Sequence, residues 1–300
     1  MTATTEMARI LDRHTSEDGV HLCALPRVTL FRSSRPTEPL HTVYRPTLCL
    51  VAQGCKEATL GDRVYRYDAA TFLIVSVDLP VVGTVVQASP ERPYLCVALD
   101  LDVPAIAALL LEQGMEASPP DRSPPAIGLS EGQPELQDAR VRLLRLLDRP
   151  QDAAVLAPLA EREIIYRLLS SGQGAMVRQI AAGENRLRQI SRAIAWIKKN
   201  YAGPFSIGHL AAEAGMSASS FHHHFRAVTA MSPLQYRMQI RLQEARRLMV
   251  SEGLEAASAG FRVGYDSPSQ FSRDYRRTFG APPLKDAARL PASSAYQMVA

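Results

Sequence analysis

Residues 219–228, SSFHHHFRAV, set three of the chain's seven histidines in a row between Phe221 and Phe225. Histidine is the commonest metal ligand and a base that titrates near neutral pH. Metal-binding pairs on a helix need i, i+3 or i, i+4 spacing, so three consecutive histidines cannot converge on one ion. No Asp, Glu or Cys stands in helical register to orient or use a catalytic base. At 100° per residue Phe221 and Phe225 share an inward face, Ser219 and His223 lie nearly opposite, and His222 and His224 flank them. What remains is a helix face that is either solvated or aimed at the base edges and phosphates of a nucleic acid.

The flanking residues supply the element that would present such a face. A short helix from Ile207 to Ala214, with Leu210 and Ala211 inside, stops at Gly215, which can take a left-handed turn. Ser217 then caps a helix from about Ala218 to Val228, giving a helix-turn-helix. The unit recurs at an offset of 50 residues: Ser219, Phe221, Phe225, Arg226 and Pro233 fall on Ser269, Phe271, Tyr275, Arg276 and Pro283. An internal repeat outranks single motifs as evidence. In the second copy Gly264 makes the turn, Asp266 or Ser267 the cap, Phe271 and Tyr275 point inward, and Ser269, Ser272, Arg273 and Arg276 point outward. Arginine on guanine is the commonest specific base contact, which singles out Arg273.

Between the copies SPLQYRMQIRLQEARRLMV reads as a helix of about 18 residues, capped by Ser232 with Pro233 in its first turn, roughly 27 Å long. That length can hold two recognition helices near one DNA turn, ~34 Å, apart. Its Arg237, Arg241, Arg246 and Arg247 are open to phosphate contact or simple solvation. The charge is uneven in the same sense. Residues 184–290 carry 16 Lys+Arg against 8 Asp+Glu, and the rest of the chain 18 against 22. A basic half beside a slightly acidic one is the electrostatic outline of a nucleic-acid-binding domain joined to something else.

Three hundred residues, 46% of them hydrophobic and 21% charged, suit two globular domains. The first twenty residues match neither a signal nor a transit peptide, and no apolar run approaches the ~20 residues that cross a bilayer. The expectation is a cytoplasmic protein with no membrane partner. Cys23, Cys49, Cys55 and Cys96 show no C-x-x-C pair and read as small buried hydrophobes rather than redox sensors. Residues 20–103 read as short strands rich in Val, Thr, Leu and Tyr, with Gly61-Asp62 as a hairpin turn, and so as a β-barrel or sandwich. Asp102 caps a helix through AIAALLLEQG, and a Pro-rich loop follows. Two amphipathic helices come next, PELQDARVRLLRLLDR, ended by Pro150, and APLAEREIIYRLLSSG, which form a hairpin docked on the barrel or on its twin in a dimer. Residues 171–186 read as a linker. Beyond it Arg188 and Arg192, at i, i+4 and beside Arg178 and Arg186, could clamp a phosphate-bearing effector such as a cyclic dinucleotide. The competing reading is a first helix that packs Leu187, Ile190, Ile194 and Ile197 inward.

With these motifs in view, the C-terminal hundred residues resemble the AraC/XylS family of bacterial transcription regulators, most specifically in VGYDSPSQFSRDYRRTFG around the second helix-turn-helix. RVTLFRSSRPTEPLHTVYRPTLCLVAQGCKEATLGDRVYRYDAATFLIVSVDLPVVG is similar to the cupin-like sensor of one branch of that family. The resemblance implies sequence-specific DNA binding by two helix-turn-helix units. It places base-contacting positions on Ser219, His222 and His223 in the first recognition helix and on Ser269, Ser272 and Arg273 in the second. Metal cupins present an H-x-H with a later Glu and His. Here the barrel region has only His21 and His41, far apart, so no metal and no other cofactor is expected.

The sequence therefore points to an α+β chain. It would hold a cupin-like β-barrel with a helical hairpin in residues 1–182 (barrel about 20–103, helices about 104–170), a double helix-turn-helix domain in 183–289, and a tail in 290–300. The function read from it is an effector-responsive, DNA-binding transcription regulator and no enzyme. Its partners would be double-stranded DNA, a small-molecule effector, RNA polymerase and a second copy of itself. The DNA side would engage Ser219, His222, His223, Arg226, Ser269, Ser272, Arg273 and Arg276. Two alternatives stay open: a barrel-based enzyme with a helical tether, for which no G-x-S-x-G, P-loop, H-E-x-x-H or G-x-G-x-x-G occurs, and an effector held at Arg186, Arg188 and Arg192 instead of in the barrel.

Overall fold

The structure, a computed structural model, describes residues 2–114, 125–181 and 186–290. It opens with a helix that the sequence reading left out, α1 (Ala3–His14). Thr2 caps it by accepting the Thr5 amide, and Met7, Ile10 and Leu11 bury its apolar side.

Nine strands follow: β1 (Gly19–Leu22), β2 (Val28–Ser33), β3 (Leu40–Tyr44), β4 (Thr47–Gln53), β5 (Cys55–Leu60), β6 (Arg63–Asp68), β7 (Thr71–Val75), β8 (Leu79–Gln87) and β9 (Tyr94–Asp100). With β10 (Ile127–Glu131) they build two antiparallel sheets, ordered β1-β2-β9-β4-β7-β10 and β3-β8-β5-β6. β10 corrects part of the Pro-rich loop: its Ile127 pairs with Val75 and completes the larger sheet. Residues 115–124 of that loop lie outside the described residues. At Gly61 φ is +62° while Asp62 keeps a negative φ, the pattern of the expected two-residue turn, and Leu60 pairs with Arg63 across it.

Strand periodicity assigns the cores. In β4 Leu48, Leu50 and Ala52 face the helices, while Cys49 and Val51 face the second sheet, so the whole strand is apolar. The outer face of the six-stranded sheet is covered by α1, α2 (Val103–Glu112), α3 (Pro134–Arg145), α4 (Pro150–Leu169) and α5 (Gly174–Ala181). Asp102 caps α2 as expected, accepting the Ala105 amide. The helical hairpin is present and docks on the sheet, with two corrections. The second helix begins at Pro150, seven residues before its expected start at Ala157, because Pro150 sits in its first turn and Pro158 in its exposed middle, where water can satisfy the carbonyl that loses its N–H partner. The expected linker is largely helix: α5 buries Met176 and Val177, and only residues 182–185 lie outside the described part of it.

The remainder is helical: α6 (Arg186–Asn200), α7 (Ile207–Glu213), α8 (Ala218–Thr229), α9 (Pro233–Ser251), α10 (Ala256–Arg262), α11 (Pro268–Phe279) and α12 (Pro283–Ala287). The offset of 50 extends to detail. Ser217 and Ser267 cap α8 and α11, and Ala230 and Gly280 end them in the left-handed conformation. Ser232 and Gln235 form a capping box at the start of α9. One apolar cluster runs from Tyr44, Tyr67 and Leu79 of the sheets into Phe221, Phe225 and Tyr236 of the first helix-turn-helix; another, around Phe271 and Tyr275, supports the second.

Candidate functional site

Phe221 and Phe225 are fully buried with ring centres 5.4 Å apart, and Phe271 and Tyr275 repeat the arrangement at 5.5 Å. Burial of about 1.5–3 kcal/mol per large side chain fixes which face of α8 and α11 turns outward. Ser219, His222, His223 and Arg226 are exposed on α8, as are Ser269, Ser272, Arg273 and Arg276 on α11. His224 departs from the helical-wheel expectation. It is buried, Arg186 donates to its Nε2 at 2.6 Å, and burial, reinforced by Arg186 and His223, lowers its pKa. α6 packs against that flank of α8, a contact no single-helix projection contains.

The arginines sort into two groups. Those of α9, left open between phosphate contact and solvation, are engaged inside the protein. Arg246 is buried and forms a two-pronged ion pair with Asp286 at 2.7 and 2.9 Å. Arg237 and Arg241 donate to the carbonyl of Tyr201 at 2.8 and 2.7 Å, and Arg247 pairs with Glu244 and Glu252. Burial, then the nearby Arg241, pulls Arg237 down to about 10. By contrast, the guanidinium groups of Arg226, Arg273 and Arg276 form no ion pair among the described residues. Of the arginines at the start of α6, Arg186 holds His224, Arg188 lines a cleft of about 410 Å³ beside α2, and Arg192 is exposed; that cleft includes neither Arg186 nor Arg192.

A second site lies between the sheets, where a cavity of about 710 Å³ is lined by Phe31, Tyr44, Lys56, Tyr67, Tyr94 and Cys96, among others. The sequence reading named no residue here. The available signal was Lys56, which falls in period 2 with the buried Ala58 and Leu60 on β5, a lysine on an inward face. Burial pushes the pKa values of Cys49, Cys96, Tyr67 and Tyr94 up, so these groups stay protonated at neutral pH. His21 and His41 stay apart. His21 meets the Glu17 carbonyl, whereas His41 lies outside the cavity and stacks edge-on with Phe279 of α11 at 4.8 Å.

The four-stranded sheet is a wall shared by the two sites. Its inner side carries Lys56, Gly83 and Val85 into the cavity; on its outer side His41, Pro80 and Val82 meet Met238 and Gln239 of α9 and Arg277 of α11. Lys198 of α6 pairs with Asp78, and the Tyr236 hydroxyl donates to the Asp78 carbonyl at 2.8 Å. At the hairpin tip, Leu60 and Asp62 share a cleft with His223 and Arg226 of α8 and with its cap residue Ala230.

Residues 24–176 match the family model for the AraC-type transcriptional regulator N-terminus, and residues 210–289 match a helix-turn-helix domain. The chain is 27% identical over 150 residues to the virulence regulon transcriptional activator VirF of Yersinia enterocolitica, covering 50% of this chain and 55% of that protein. It is 24% identical over 159 residues to the HTH-type transcriptional regulator ArgR of Pseudomonas aeruginosa, covering 52% and 47%. Each match thus spans about half the relative's length. In fold it is similar to ToxT of Vibrio cholerae O395 bound to (E)-4-(8-methylnaphthalen-1-yl)but-3-enoic acid, with a TM-score of 0.58 at 12% identity over 87% of this chain and 97% of that one. Unsaturated fatty acid-bound ToxT of strain SCE256 gives 0.56 at 12% identity, over 88% and 95%. Two sheets with their helices, a pair of helix-turn-helix units behind them and a family model covering half the sequence place this chain among the AraC-type transcriptional regulators.

Proposed function

We propose that the chain is an effector-responsive, sequence-specific DNA-binding transcription regulator. The observation that carries this reading is the sorting of its arginines: those of α9 are ion-paired or donate to backbone carbonyls, whereas Arg226, Arg273 and Arg276 stand exposed on α8 and α11 without an ion pair among the described residues. Ser219, His222, His223, Ser269 and Ser272 complete the two reading faces, Arg273 taking a base edge and Arg226 and Arg276 the phosphates. The cavity between the sheets is the effector site. An effector there changes how α8 and α11 are presented, a coupling carried by the shared sheet. The acids bound to ToxT make a similar use of this fold reasonable.

The boundary of the sensor falls near residue 182 and that of the DNA-binding unit near 289. A second copy docks on α4, where Val155, Leu159 and Tyr166 form an exposed apolar stripe at helical spacing. RNA polymerase is the partner of the DNA-bound form, in the cytoplasm; among the described residues no helix is long and apolar enough to cross a membrane. Against an enzyme stands the chemistry of the cavity, whose buried thiols have raised pKa values and are weak nucleophiles.

Selection of DNA from a random pool by the full-length protein tests the reading. A single enriched motif is expected, whose affinity falls steeply between 50 and 200 mM salt, by roughly 10³-fold or more. No enrichment, or an enriched motif bound equally well by Arg273→Ala, would remove the recognition helices from this role.

A further inference from the structure

Resting on the effector reading, one residue of the cavity narrows what the effector can be. Lys56 projects from β5 into the space between the sheets, with its ammonium 5.4 Å from the ring centre of Tyr44 and 5.7 Å from that of Phe31. Room for it comes from Gly83 on the neighbouring β8. A Cβ at that position would lie 3.0 Å from Lys56 Cε and 3.2 Å from the Tyr44 hydroxyl, tighter than most side-chain contacts. Gly83 has no positive φ, so its glycine answers to space and not to backbone conformation.

Burial disfavours the Lys56 ammonium, but the Tyr44 hydroxyl beside it works against that, and its pKa lies above the ordinary value. It is a cation at neutral pH. The three acids lining the cavity are Asp18, Glu38 and Asp100, and none of them, nor any other carboxylate among the described residues, pairs with it. The hydroxyls of Tyr44 and Tyr94 are buried on the cavity wall, beside the Lys56 ammonium and the Cys96 thiol respectively, and meet no carboxylate among the described residues. Two ring faces steady a cation by about 0.5–2 kcal/mol, far less than water supplies to a free ammonium. A half-buried ammonium with no carboxylate paired to it among the described residues marks a site whose counter-charge arrives from outside.

We propose that the cavity binds a small organic carboxylate, its anionic oxygens on Lys56 and beside the Tyr44 hydroxyl, and its apolar body along Phe31, Tyr67 and Tyr94. The cavity, at about 710 Å³, suits a ligand of drug-like size. Two carboxylate sources share this chemistry, a medium-length alkyl chain and a compact aromatic acid, and the test separates them.

Decanoate and 2-naphthoate, each beside its neutral primary amide, are titrated into full-length protein by equilibrium dialysis and thermal unfolding. The variants are Lys56→Met, which keeps the length and removes the charge, and Gly83→Ala, which keeps the charge and crowds it. One of the two acids is expected to bind wild type about tenfold or more tightly than its amide, the scale of one charge-assisted contact, and to raise its melting temperature. Lys56→Met should lose that preference yet unfold, without probe, at a temperature no lower than wild type. Gly83→Ala should weaken the acid more than the amide. Equal binding of acid and amide to wild type, no binding of either acid, or an unchanged preference in Lys56→Met overturns the carboxylate site. A ligand-free Lys56→Met protein that melts well below wild type assigns Lys56 to the architecture and also overturns it. Tight binding of an acid with no change in affinity for the selected DNA leaves the carboxylate site standing and overturns the effector role of the cavity.

Discussion

At the scale of single residues, what separates a reading side chain from a structural one is whether its charge is already answered. Arg246 is committed to Asp286, which also accepts from the Tyr275 hydroxyl at 2.8 Å, so the guanidinium holds α9, α11 and α12 together. Replacing Arg246 by Met should therefore destabilise the protein by about 3–5 kcal/mol, since it strands Asp286 in the interior. Chemical denaturation reads this directly. Arg273 has no such partner among the described residues, so Arg273→Ala should leave stability within about 0.5 kcal/mol of wild type while costing about 1–3 kcal/mol in binding to the selected DNA and relaxing preference at one base pair. If the two variants exchanged phenotypes, the sorting of arginines would be wrong. The histidines divide in the same way: His222 and His223 face outward, whereas His224 is occupied by Arg186.

At the scale of elements, the second helix-turn-helix has a left-handed glycine in its turn and another at the end of α11, and the two are not equivalent. Gly264 has φ +89°, and a Cβ there would lie 2.2 Å from the Ala202 carbonyl oxygen, which belongs to the turn after α6. Gly280 has a similar φ, +76°, but open space around it. Gly280→Ala should thus cost about 1–2 kcal/mol, the conformational penalty alone, and Gly264→Ala clearly more. Equal melting temperatures for the two variants would contradict the packing described. The caps behave more simply. Ser217 and Ser267 each accept an amide at the start of a recognition helix, and either serine replaced by alanine should cost about 1 kcal/mol.

At the scale of the whole molecule, His41 sits at the junction of the four-stranded sheet and the second helix-turn-helix. Burial, reinforced by Arg246 and opposed by Asp286, pulls its pKa from 6.5 down to about 4. The unfolded chain therefore binds this proton below pH 6.5, the folded chain only below about 4. Stability from this group is complete above 6.5 and drains away as pH falls toward 4, about 3 kcal/mol in all. His41→Asn should flatten the fall in stability across that window, measured by denaturation at several pH values. A profile with the same slope as wild type would place the pH sensitivity elsewhere. The α4 stripe makes a prediction of the same scale: Leu159→Glu should turn a dimer into a monomer in sedimentation without lowering the melting temperature of the monomer.

Much of this molecule was legible along the chain because its signals are local. The repeat at offset 50, the serine caps, the Gly61 turn and the inward aromatics of α8 and α11 each depend on a few neighbouring residues and their dihedral preferences. What lay beyond reach depends on distant segments meeting. β10 is a strand only because β7 offers an open edge, and α5 is a helix because Met176 and Val177 find a core to enter. The burial of His224 and the engagement of the α9 arginines require α6 and α12 to be in place. Lys56 reads as an ordinary strand lysine until Gly83, Tyr44 and Phe31, far from it in sequence, close around it. The sequence alone determined the family, the two helix-turn-helix units and the face each presents, since helical periodicity and apolar burial suffice for that. Only the tertiary structure decided which charges are spent on the fold and which stand unpaired among the described residues, because whether a charge is paired is a property of the space around it.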